Sequence, residues 1–414
     1  MGKISIDRLG GFVISFIAVI FMIYFQFSSL PVFLVSLLGF FFILYNRVDY
    51  RRIEFSFIAP WCVLLLFSEL NLTYYYRSIS PETAYLISVP ILSGVIISSF
   101  SRGKGALCEP LPEKVKTSRL NFFLFLLYAL FSLNFIWSGF IPLVSQFVSG
   151  YSNYKDFGVS SLNGFINSFA LSLCVILFYF RKQNERFKIH IYIIVFVFIF
   201  TFTRQNIITI FLELLVIKSL GTQSKNLTKI SVVLFFALVI FAFLGELRSG
   251  DIKELIHVRP EYNFLPSMFY WVYSYSYFNV LNLDNLITSG YVGLNNGYAF
   301  STLIPSVFRG VGGNEVELVL DLDNLNVSSY LMPIVQDWGI GFSILFTFFV
   351  FVVAVLIQNS MLKKPSFLTV SCFSVLYFCS IFSFFVNFWL YLPVIFQLVF
   401  FVFFRFFLVR RETC

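Results

Sequence analysis

Long apolar runs recur along most of the sequence and are separated by short polar loops. An α-helix needs about 20 apolar residues to cross the hydrocarbon core of a bilayer, and many of these runs approach that length. A backbone inside a bilayer must satisfy its own hydrogen bonds, which favours helices over isolated strands. Only 12% of the residues are charged, against about 25% in soluble domains. The sequence therefore predicts an all-α polytopic membrane protein.

Basic residues alternate between successive loops. Arg51, Arg52, Lys363 and Lys364 lie in basic loops, which the positive-inside rule places in the cytoplasm, and the intervening loops hold few Lys or Arg. The run from 189 to 220 is interrupted by a polar turn and is interpreted as two spans. The alternation predicts about 12 transmembrane helices with both termini in the cytoplasm. Among them are the first span (about 9–27), the third (55 to near 72), the sixth (162–180), the ninth (230–244) and the eleventh (367–385). No cleavable leader is evident.

One long polar segment, residues 246–337, interrupts the series of apolar runs and is called the long segment below. The alternation places it outside the cytoplasm. It holds ten Asp and Glu against four Lys and Arg, although the whole chain has a net charge of +8. The basic balance therefore reflects membrane topology and is not a nucleic-acid signal. Residues 1–245 are predicted to form nine helices with short loops, and residues 338–414 three more. Residues 266–283 are predicted to form an interfacial or re-entrant helix rather than a further span.

Several charged residues at the membrane edge are candidates for chemistry. Arg204 interrupts an apolar run, which is costly unless the charge has a function or extends to the headgroups. Glu246 and Arg248 lie where the ninth run ends, either as part of a site or as a polar helix cap. Arg309 lies beside glycines and could clamp a phosphate. Glu213 lies inside a run, as a functional acid or as a hydrogen bond between helices.

The loop histidine and a pair of aspartates each have a functional and a purely structural interpretation. His257 is a candidate general base, because histidine is the side chain best suited to proton transfer near neutral pH, unless residues 251–258 form only a solvated helix face. Asp321-Leu322-Asp323 resembles a divalent-metal motif, but three residues are weak support and a surface loop is the favoured interpretation. The six cysteines are scattered and no HExxH is present, so no metal site is predicted.

Five local motifs accompany this topology. They are Thr203-Arg204-Gln205-Asn206, Gly245-Glu246-Leu247-Arg248-Ser249-Gly250, Ile304-Pro305-Ser306, Asn326-Val327-Ser328-Ser329 and Asp337-Trp338-Gly339. With its topology, the chain resembles the Wzy-type oligosaccharide repeat unit polymerases, the O-antigen or capsule polymerases of bacteria. The local motifs cover residues 189–357. Some members carry an Arg followed by a Gly after ten residues in two outer loops; this chain does not, so that scheme is not carried over.

The resemblance implies a GT-C-like architecture in the bacterial inner membrane, with its working face in the periplasm. The implied reaction is metal-independent and needs no cofactor. A growing glycan on undecaprenyl diphosphate is transferred to the sugar end of a new lipid-linked repeat unit. The implied partners are the undecaprenyl-diphosphate-linked oligosaccharide and the lipid bilayer, with a chain-length regulator and a flippase as further candidates and no nucleic acid.

The resemblance also implies roles for the candidate residues. The diphosphate would be bound by Arg204, Arg248 and Arg309, with Arg259 in reserve, because guanidinium groups match phosphate oxygens. Glu246 is the preferred base for the acceptor hydroxyl. The alternate bases are His257 and Asp337, and sugars would stack on Trp271, Tyr273 and Tyr277.

Three rival functions remain from the sequence. An O-antigen ligase shares the same plan and often depends on a loop histidine, which His257 would supply. A lipid-linked oligosaccharide flippase would carry charges along several spans, whereas the spans here are nearly free of charge beyond Glu213. A structural membrane protein would not need Arg and carboxylates concentrated at one outer face. The polymerase is the leading expectation.

Overall fold

The three-dimensional structure, a computed structural model, describes most of the chain. The residues described are 29–46, 48–101, 113–149, 156–159, 162–220, 246, 250–295, 297–305, 308, 319–326 and 328–411. The predicted first span (9–27) and ninth span (230–244) lie outside these residues.

The described residues are mostly helical. The α-helices are α1 Ser29–Tyr45, α2 Ile53–Ser68, α3 Pro81–Ser98, α4 Thr117–Ser138, α5 Pro142–Ser149, α6 Leu162–Tyr179, α7 Phe187–Phe200, α8 Arg204–Leu220, α9 Ile252–Leu255, α10 Ser267–Thr288, α11 Tyr298–Ser301, α12 Leu331–Lys363, α13 Phe367–Phe382 and α14 Leu392–Phe407. Two short strands, β1 Glu113–Val115 and β2 Val409–Arg411, pair in antiparallel fashion.

The apolar helices support the broad class predicted from the sequence. Four helical stretches are long and apolar enough to cross a membrane: α3, α4 together with α5, α6, and α12. Five shorter apolar helices accompany them, which are α1 (from Leu30), α2, α7, α13 and α14. The chain is therefore an all-α membrane protein in its general architecture.

The main core is formed by these apolar helices. Helix α2 lies against α1, α3, α10 and α13, and α6 lies against α14, α7 and α8. Helices α1 and α2 approach closely at Gly39, where an added Cβ would collide with the Cys62 sulfur. Small residues at helix contacts allow this close approach, which increases van der Waals contact between membrane helices.

Contacts between distant segments fall into two groups, at opposite ends of the helices. At one end, Gln358 donates to the Glu54 carboxylate and the Phe367 amide donates to Glu113 at 2.6 Å. Arg405 lies 3.2 Å from the second Glu113 oxygen. This end carries the basic loops and is called the basic end. The long segment contacts the opposite end, called the segment end, as its hydrogen bonds to the loop between α2 and α3 show.

Helix α10 is the centre of a second, smaller core at the segment end. This core includes Leu72, Ile252, Tyr270, Phe278 and other apolar side chains of the long segment. The helix packs against α2 and α3 and most of its residues are buried. The sequence predicted an interfacial or re-entrant helix over 266–283. The observed helix is longer, and its tyrosine rings pack inside the protein because two neighbouring helices cover them.

Helix α12 is broken near its beginning. The predicted span starts at Trp338, whereas the helix starts seven residues earlier and is interrupted at Gly339, with φ 81° and ψ 177°. A loop of the long segment packs against the break: the Gly293 amide donates to the Val335 carbonyl at 3.0 Å, and the Leu294 amide to the Gln336 carbonyl at 2.8 Å. The break therefore joins the long segment to the membrane helix.

Candidate functional site

The loop between α2 and α3, residues 69–80, is paired with the long segment. Thr73 and Val258 form an isolated antiparallel bridge, and the Arg259 amide donates to the Leu72 carbonyl at 2.9 Å. Backbone pairing of this kind fixes the register between two segments that are distant in sequence. It brings two of the predicted site residues, His257 and Arg259, to this loop.

His257 is exposed and has a left-handed backbone conformation, with φ of 47°. Its ring stacks on Tyr75 with a centroid separation of 5.5 Å, and its carbonyl accepts a hydrogen bond from the Tyr74 amide. Positive φ is uncommon outside glycine and is found more often at functional sites than elsewhere. The structure shows an imidazole held by these contacts; its predicted role as a base stays a prediction.

Arg259 is half-buried and turned toward the same loop. Its Nε donates to the Thr73 carbonyl at 3.3 Å, and its guanidinium lies 5.8 Å from the centre of the Tyr74 ring. A guanidinium over an aromatic face is held by the cation–π attraction. Arg259 is thus held beside the 69–80 loop, with part of its hydrogen-bonding capacity engaged by the protein. Its reserve role in diphosphate binding stays a prediction.

Asp337 is 3% exposed and lies on α12, two residues before the break. Its carboxylate accepts the Ala299 amide at 2.6 Å and also the Tyr298 amide. A buried carboxylate that binds two backbone amides anchors the loop that carries them. This anchoring is sufficient to explain Asp337, and its predicted role as a base stays untested by the geometry.

Four charged candidates remain, which are Arg204, Glu246, Arg248 and Arg309. Glu246 is partly buried and its carbonyl accepts the Gly250 amide at 3.0 Å. Arg204 is the first residue of α8. The next residue, Gln205, forms a side-chain hydrogen bond with Tyr391 at the segment end. Arg248 and Arg309 lie outside the described residues.

The three aromatic residues predicted to stack on sugars are core residues. The exposed fractions of Trp271, Tyr273 and Tyr277 are 3%, 0% and 2%. Tyr273 and Tyr277 stack on each other at 5.7 Å, and Tyr277 also stacks on Tyr76. A sugar cannot reach rings whose faces are covered by protein, so this burial argues against the predicted contact. The sequence could not distinguish them from exposed aromatics, because α10 is aromatic on all sides.

A cleft lies between the 69–80 loop, the end of α2 and helix α10; it is called the Glu69 cleft. Its lining residues are Ser68, Glu69, Tyr76, Arg77, Ser78, Ile79, Tyr277 and Val280. The cavity volume is about 10 Å³, far below the roughly 300–1,000 Å³ of typical small-molecule sites. The cleft therefore has room for about one water molecule.

Glu69 is the most unusual group in this cleft. Its carboxyl group has no hydrogen-bond or ion-pair partner among the described residues, although Arg77 lines the same cleft. Burial raises the pKa of Glu69 to about 7. Burial also raises the pKa of Tyr76, and the Glu69 charge raises it further, so the two groups are close. A carboxyl group with these properties in a cleft is a functional candidate.

Arg77 is held by the long segment rather than by Glu69. Its guanidinium Nη2 donates to the Asn285 side-chain oxygen and lies 3.6 Å from the Asp321 carboxylate. Asn285 also donates to Asp321 at 2.7 Å. Asp321 belongs to the motif that the sequence favoured as a surface loop. The structure gives it the role of an ion-pair partner that places segment 319–326 beside Arg77.

Asp284 fixes α10 to the beginning of α3. One of its oxygens accepts three hydrogen bonds, from the Ser80 amide (2.8 Å), the Ser80 hydroxyl (2.6 Å) and the Thr83 hydroxyl (2.8 Å). A carboxylate at a helix N-terminus is stabilised by these donors and by the helix dipole. This contact positions the wall of the Glu69 cleft that α10 supplies.

The Glu69 cleft was not predicted from the sequence. The third predicted span extended to near Leu72, so Glu69 was counted with the membrane helix, whereas the helix ends at Ser68. The available signal was a carboxylate in a stretch that was otherwise apolar, followed by three tyrosines and Arg77. Its recognition depends on the packing of α10 over this loop, which the sequence does not reveal.

The other expectations concern metal ions and Glu213. Within the described ranges, no group of three or more His, Cys, Asp and Glu side chains is placed to hold a metal ion. Glu213 is fully buried and accepts a hydrogen bond from Gln397 at 2.7 Å. Glu213 had two interpretations, a functional acid and a hydrogen bond between helices. The structure supports the second, because Gln397 on α14 supplies the donor.

The segment end therefore combines a carboxyl group whose pKa burial raises to about 7, two guanidinium groups and a histidine. Such a set can bind an anion and remove a proton from a hydroxyl group. Comparison of the chain with protein-family models, with curated proteins and with solved structures finds no match.

Proposed function

We propose that this protein polymerises undecaprenyl-diphosphate-linked oligosaccharide repeat units at the periplasmic face of the bacterial inner membrane. In this proposal the chain has about 12 transmembrane helices in a GT-C-like arrangement and cytoplasmic termini. The segment end then faces the periplasm and the basic end the cytoplasm, as the positive-inside rule requires. The product is O-antigen or capsular polysaccharide.

The observation that carries the proposal is the Glu69 cleft at the segment end. The Glu69 carboxyl group, which has no partner among the described residues, and the Arg77 guanidinium line the same cleft, next to the loop that holds His257 and Arg259. Glycosyl transfer from a polyprenyl diphosphate requires a proton acceptor for the incoming hydroxyl group and cations for the departing diphosphate. The residues at the segment end supply both kinds of group.

Lipid access is the second requirement. The polyprenyl tails of donor and acceptor must remain in the bilayer while their headgroups react. Glu69 lies directly after the last residue of α2, an apolar helix, so a headgroup that contacts Glu69 and Arg77 from outside the cleft would stay close to the membrane surface. The predicted cations Arg204, Arg248 and Arg309 remain candidates for the diphosphate in this proposal. A flippase and a chain-length regulator are proposed as partners.

The test is deletion of the gene in its own bacterium, followed by separation of surface polysaccharide on a gel. We expect core carrying a single repeat unit, with long chains restored by a plasmid copy of the gene. Bare core would contradict the proposal, because loss of a ligase or a flippase prevents attachment of even one unit. An unchanged ladder would also contradict it.

A further inference from the structure

We propose that the basic end carries a binding site for the headgroup of an anionic phospholipid, formed by Lys116, Arg119 and Arg410. These three residues are called the ribbon cations, because they lie on or next to the β1–β2 pair. The proposal goes beyond the polymerase function, since it concerns the opposite end of the protein and a lipid that is not a substrate. The ligand class is a phosphodiester headgroup whose acyl chains remain in the bilayer.

The β1–β2 ribbon is fixed to two apolar helices. Strand β1 leads directly into α4, and β2 follows the end of α14. The Lys116 amide donates to the Leu408 carbonyl at 2.9 Å, and the Arg119 Nη1 donates to the Phe407 carbonyl at 3.0 Å. The ribbon cations are therefore held together at the point where α4 begins and α14 ends.

The ribbon brings like charges close to one another. Lys114 lies directly opposite Arg410 in the antiparallel register, an arrangement that is destabilising unless something compensates. Partial burial and the charges of Arg119 and Arg410 lower the pKa of Lys116, so the three ribbon cations are near neighbours. In the described part of the chain, no carboxylate forms an ion pair with any of the three. A bound anion would offset this repulsion.

Glu113, the acid of the ribbon, is engaged inside the protein. One of its oxygens accepts the Phe367 amide at 2.6 Å, and the other lies 3.2 Å from the Arg405 guanidinium. Successive side chains of a strand point to opposite faces, and in β1 Glu113 and Val115 are buried while Lys114 is exposed. The ribbon thus uses its carboxylate on the inner face and presents positive charge on the outer face.

Exposed aromatic side chains continue from the ribbon cations along the two helices. Phe122, about one helical turn after Arg119, is 61% exposed, and Phe406, near the end of α14, is 76% exposed. The helices meet beside them, where the Phe123 and Phe403 ring centroids are 5.7 Å apart. Cations next to exposed apolar rings suit an amphiphile, because its phosphate binds the cations while its acyl chains pack on the rings. A free phosphate would use only the charged part of this surface.

The clustering of the ribbon cations is more than membrane topology requires. The positive-inside rule concerns how many Lys and Arg a cytoplasmic loop contains, and it does not require them to be held side by side in a fixed register. Anionic lipids of the cytoplasmic leaflet attract basic segments next to membrane helices, and basic pockets between such helices bind lipid headgroups. In the proposed orientation the ribbon cations face this leaflet.

The experiment measures lipid binding by the purified full-length protein in detergent micelles. Native mass spectrometry counts the phosphatidylglycerol and phosphatidylcholine molecules that the protein retains from an equal mixture, and titration with fluorescent phosphatidylglycerol gives the affinity. We expect phosphatidylglycerol to be preferred. Lys116→Gln/Arg410→Gln should weaken its binding by about 25-fold, since each cation near an anionic lipid contributes about five-fold. Arg119 is left unchanged because its hydrogen bond also supports the fold.

Two matched variants control for charge and for folding. Lys116→Arg/Arg410→Lys keeps both charges and should bind phosphatidylglycerol as the wild type does. Lys218→Gln/Lys364→Gln removes two exposed cations elsewhere at the basic end and should keep the wild-type affinity. Thermal unfolding in phosphatidylcholine checks the fold of Lys116→Gln/Arg410→Gln. We expect it to be at least as stable as the wild type, because the repulsion between Lys114 and Arg410 is removed.

Three outcomes would overturn the proposal. The first is equal retention of the two lipids by the wild type, a measurement that does not depend on any variant. The second is equal loss of affinity in Lys116→Gln/Arg410→Gln and Lys218→Gln/Lys364→Gln, which would show only a general effect of charge. The third is displacement of phosphatidylglycerol by an equal concentration of glycerol phosphate, which would identify a soluble phosphate as the ligand. None of these measurements uses polymer synthesis, so they succeed or fail separately from the proposed function.

Discussion

At the residue scale, the acids at the segment end are distinguished by what their oxygens touch. Asp284 is 4% exposed and satisfies three donors at the beginning of α3. Glu69, at the opposite end of the 69–80 loop, has no such donors among the described residues and can exchange a proton. The first arrangement stabilises the fold, because buried donors without acceptors are costly. The second weakens the fold as pH rises, since burial disfavours the charged carboxylate.

The contact between Asp284 and α3 leads to a prediction about stability. Asp284→Ala removes the acceptor of three hydrogen bonds, and we expect it to lower the free energy of unfolding by about 2–4 kcal/mol. Asp284→Asn keeps one acceptor oxygen without the charge and should lie between this variant and the wild type. Thermal unfolding of the detergent-purified protein measures both. Equal stability of Asp284→Ala and the wild type would contradict the assigned contact.

The sequence identifies which residues are charged or aromatic at the segment end, but not which of them are buried. It selected His257 and Arg259, which the structure holds beside the 69–80 loop. It also selected Trp271, although α10 buries that ring, and it passed over Glu69. Burial in each case depends on α10 packing against α2, a contact between segments about 200 residues apart that no local pattern encodes.

At the element scale, the apolar pattern predicts most helix positions well. The predicted span 162–180 corresponds to α6 Leu162–Tyr179, and the predicted span 367–385 to α13 Phe367–Phe382. Apolar runs bounded by charged or turn residues define these helices, because the polar residues avoid the hydrocarbon region. The break at Gly339 was missed, since a glycine in an apolar run gives no indication of its backbone angles.

The break in α12 leads to a prediction at this scale. Gly339 has φ 81° and ψ 177°, a region that is essentially restricted to glycine, so Gly339→Ala should cost about 1–3 kcal/mol. Gly341, two residues further on, has open space at its Cβ position, and Gly341→Ala should be neutral or stabilising by up to about 1 kcal/mol. Unfolding of the two purified variants compares them directly. A larger loss in Gly341→Ala would show that the break does not depend on glycine.

At the scale of the whole molecule, the two groups of end contacts agree with an alternating topology. The helix ends that the positive-inside rule places in the cytoplasm contact one another. Gln358 donates a hydrogen bond to Glu54, and Arg405 forms an ion pair with Glu113. The charge composition predicts this grouping, because the Lys and Arg content of each loop indicates on which side of the membrane that loop lies. The individual partners could not be predicted, since each pair joins residues that are far apart in the sequence.

The topology is tested with single cysteines placed in a variant that lacks the natural ones. Tyr74→Cys and Phe264→Cys lie at exposed positions of the segment end, and Lys188→Cys and Lys364→Cys at exposed positions of the basic end. In spheroplasts, a membrane-impermeant maleimide should label the first pair at once and the second pair only after permeabilisation. The reverse pattern would invert the proposed orientation, and a split within either pair would contradict the grouping of the ends.

The contacts of Glu113 have a consequence for synthesis of the chain. Its fully buried carboxylate is engaged by the Phe367 amide and by Arg405, both of which come much later in the sequence. At about 5–20 residues per second, a ribosome adds Arg405 roughly 15–60 s after Glu113. Until those residues are made, the carboxylate lacks both partners. Nascent chains that stop early would keep this exposed acid at the membrane surface, where a quality-control protease could distinguish them from finished protein.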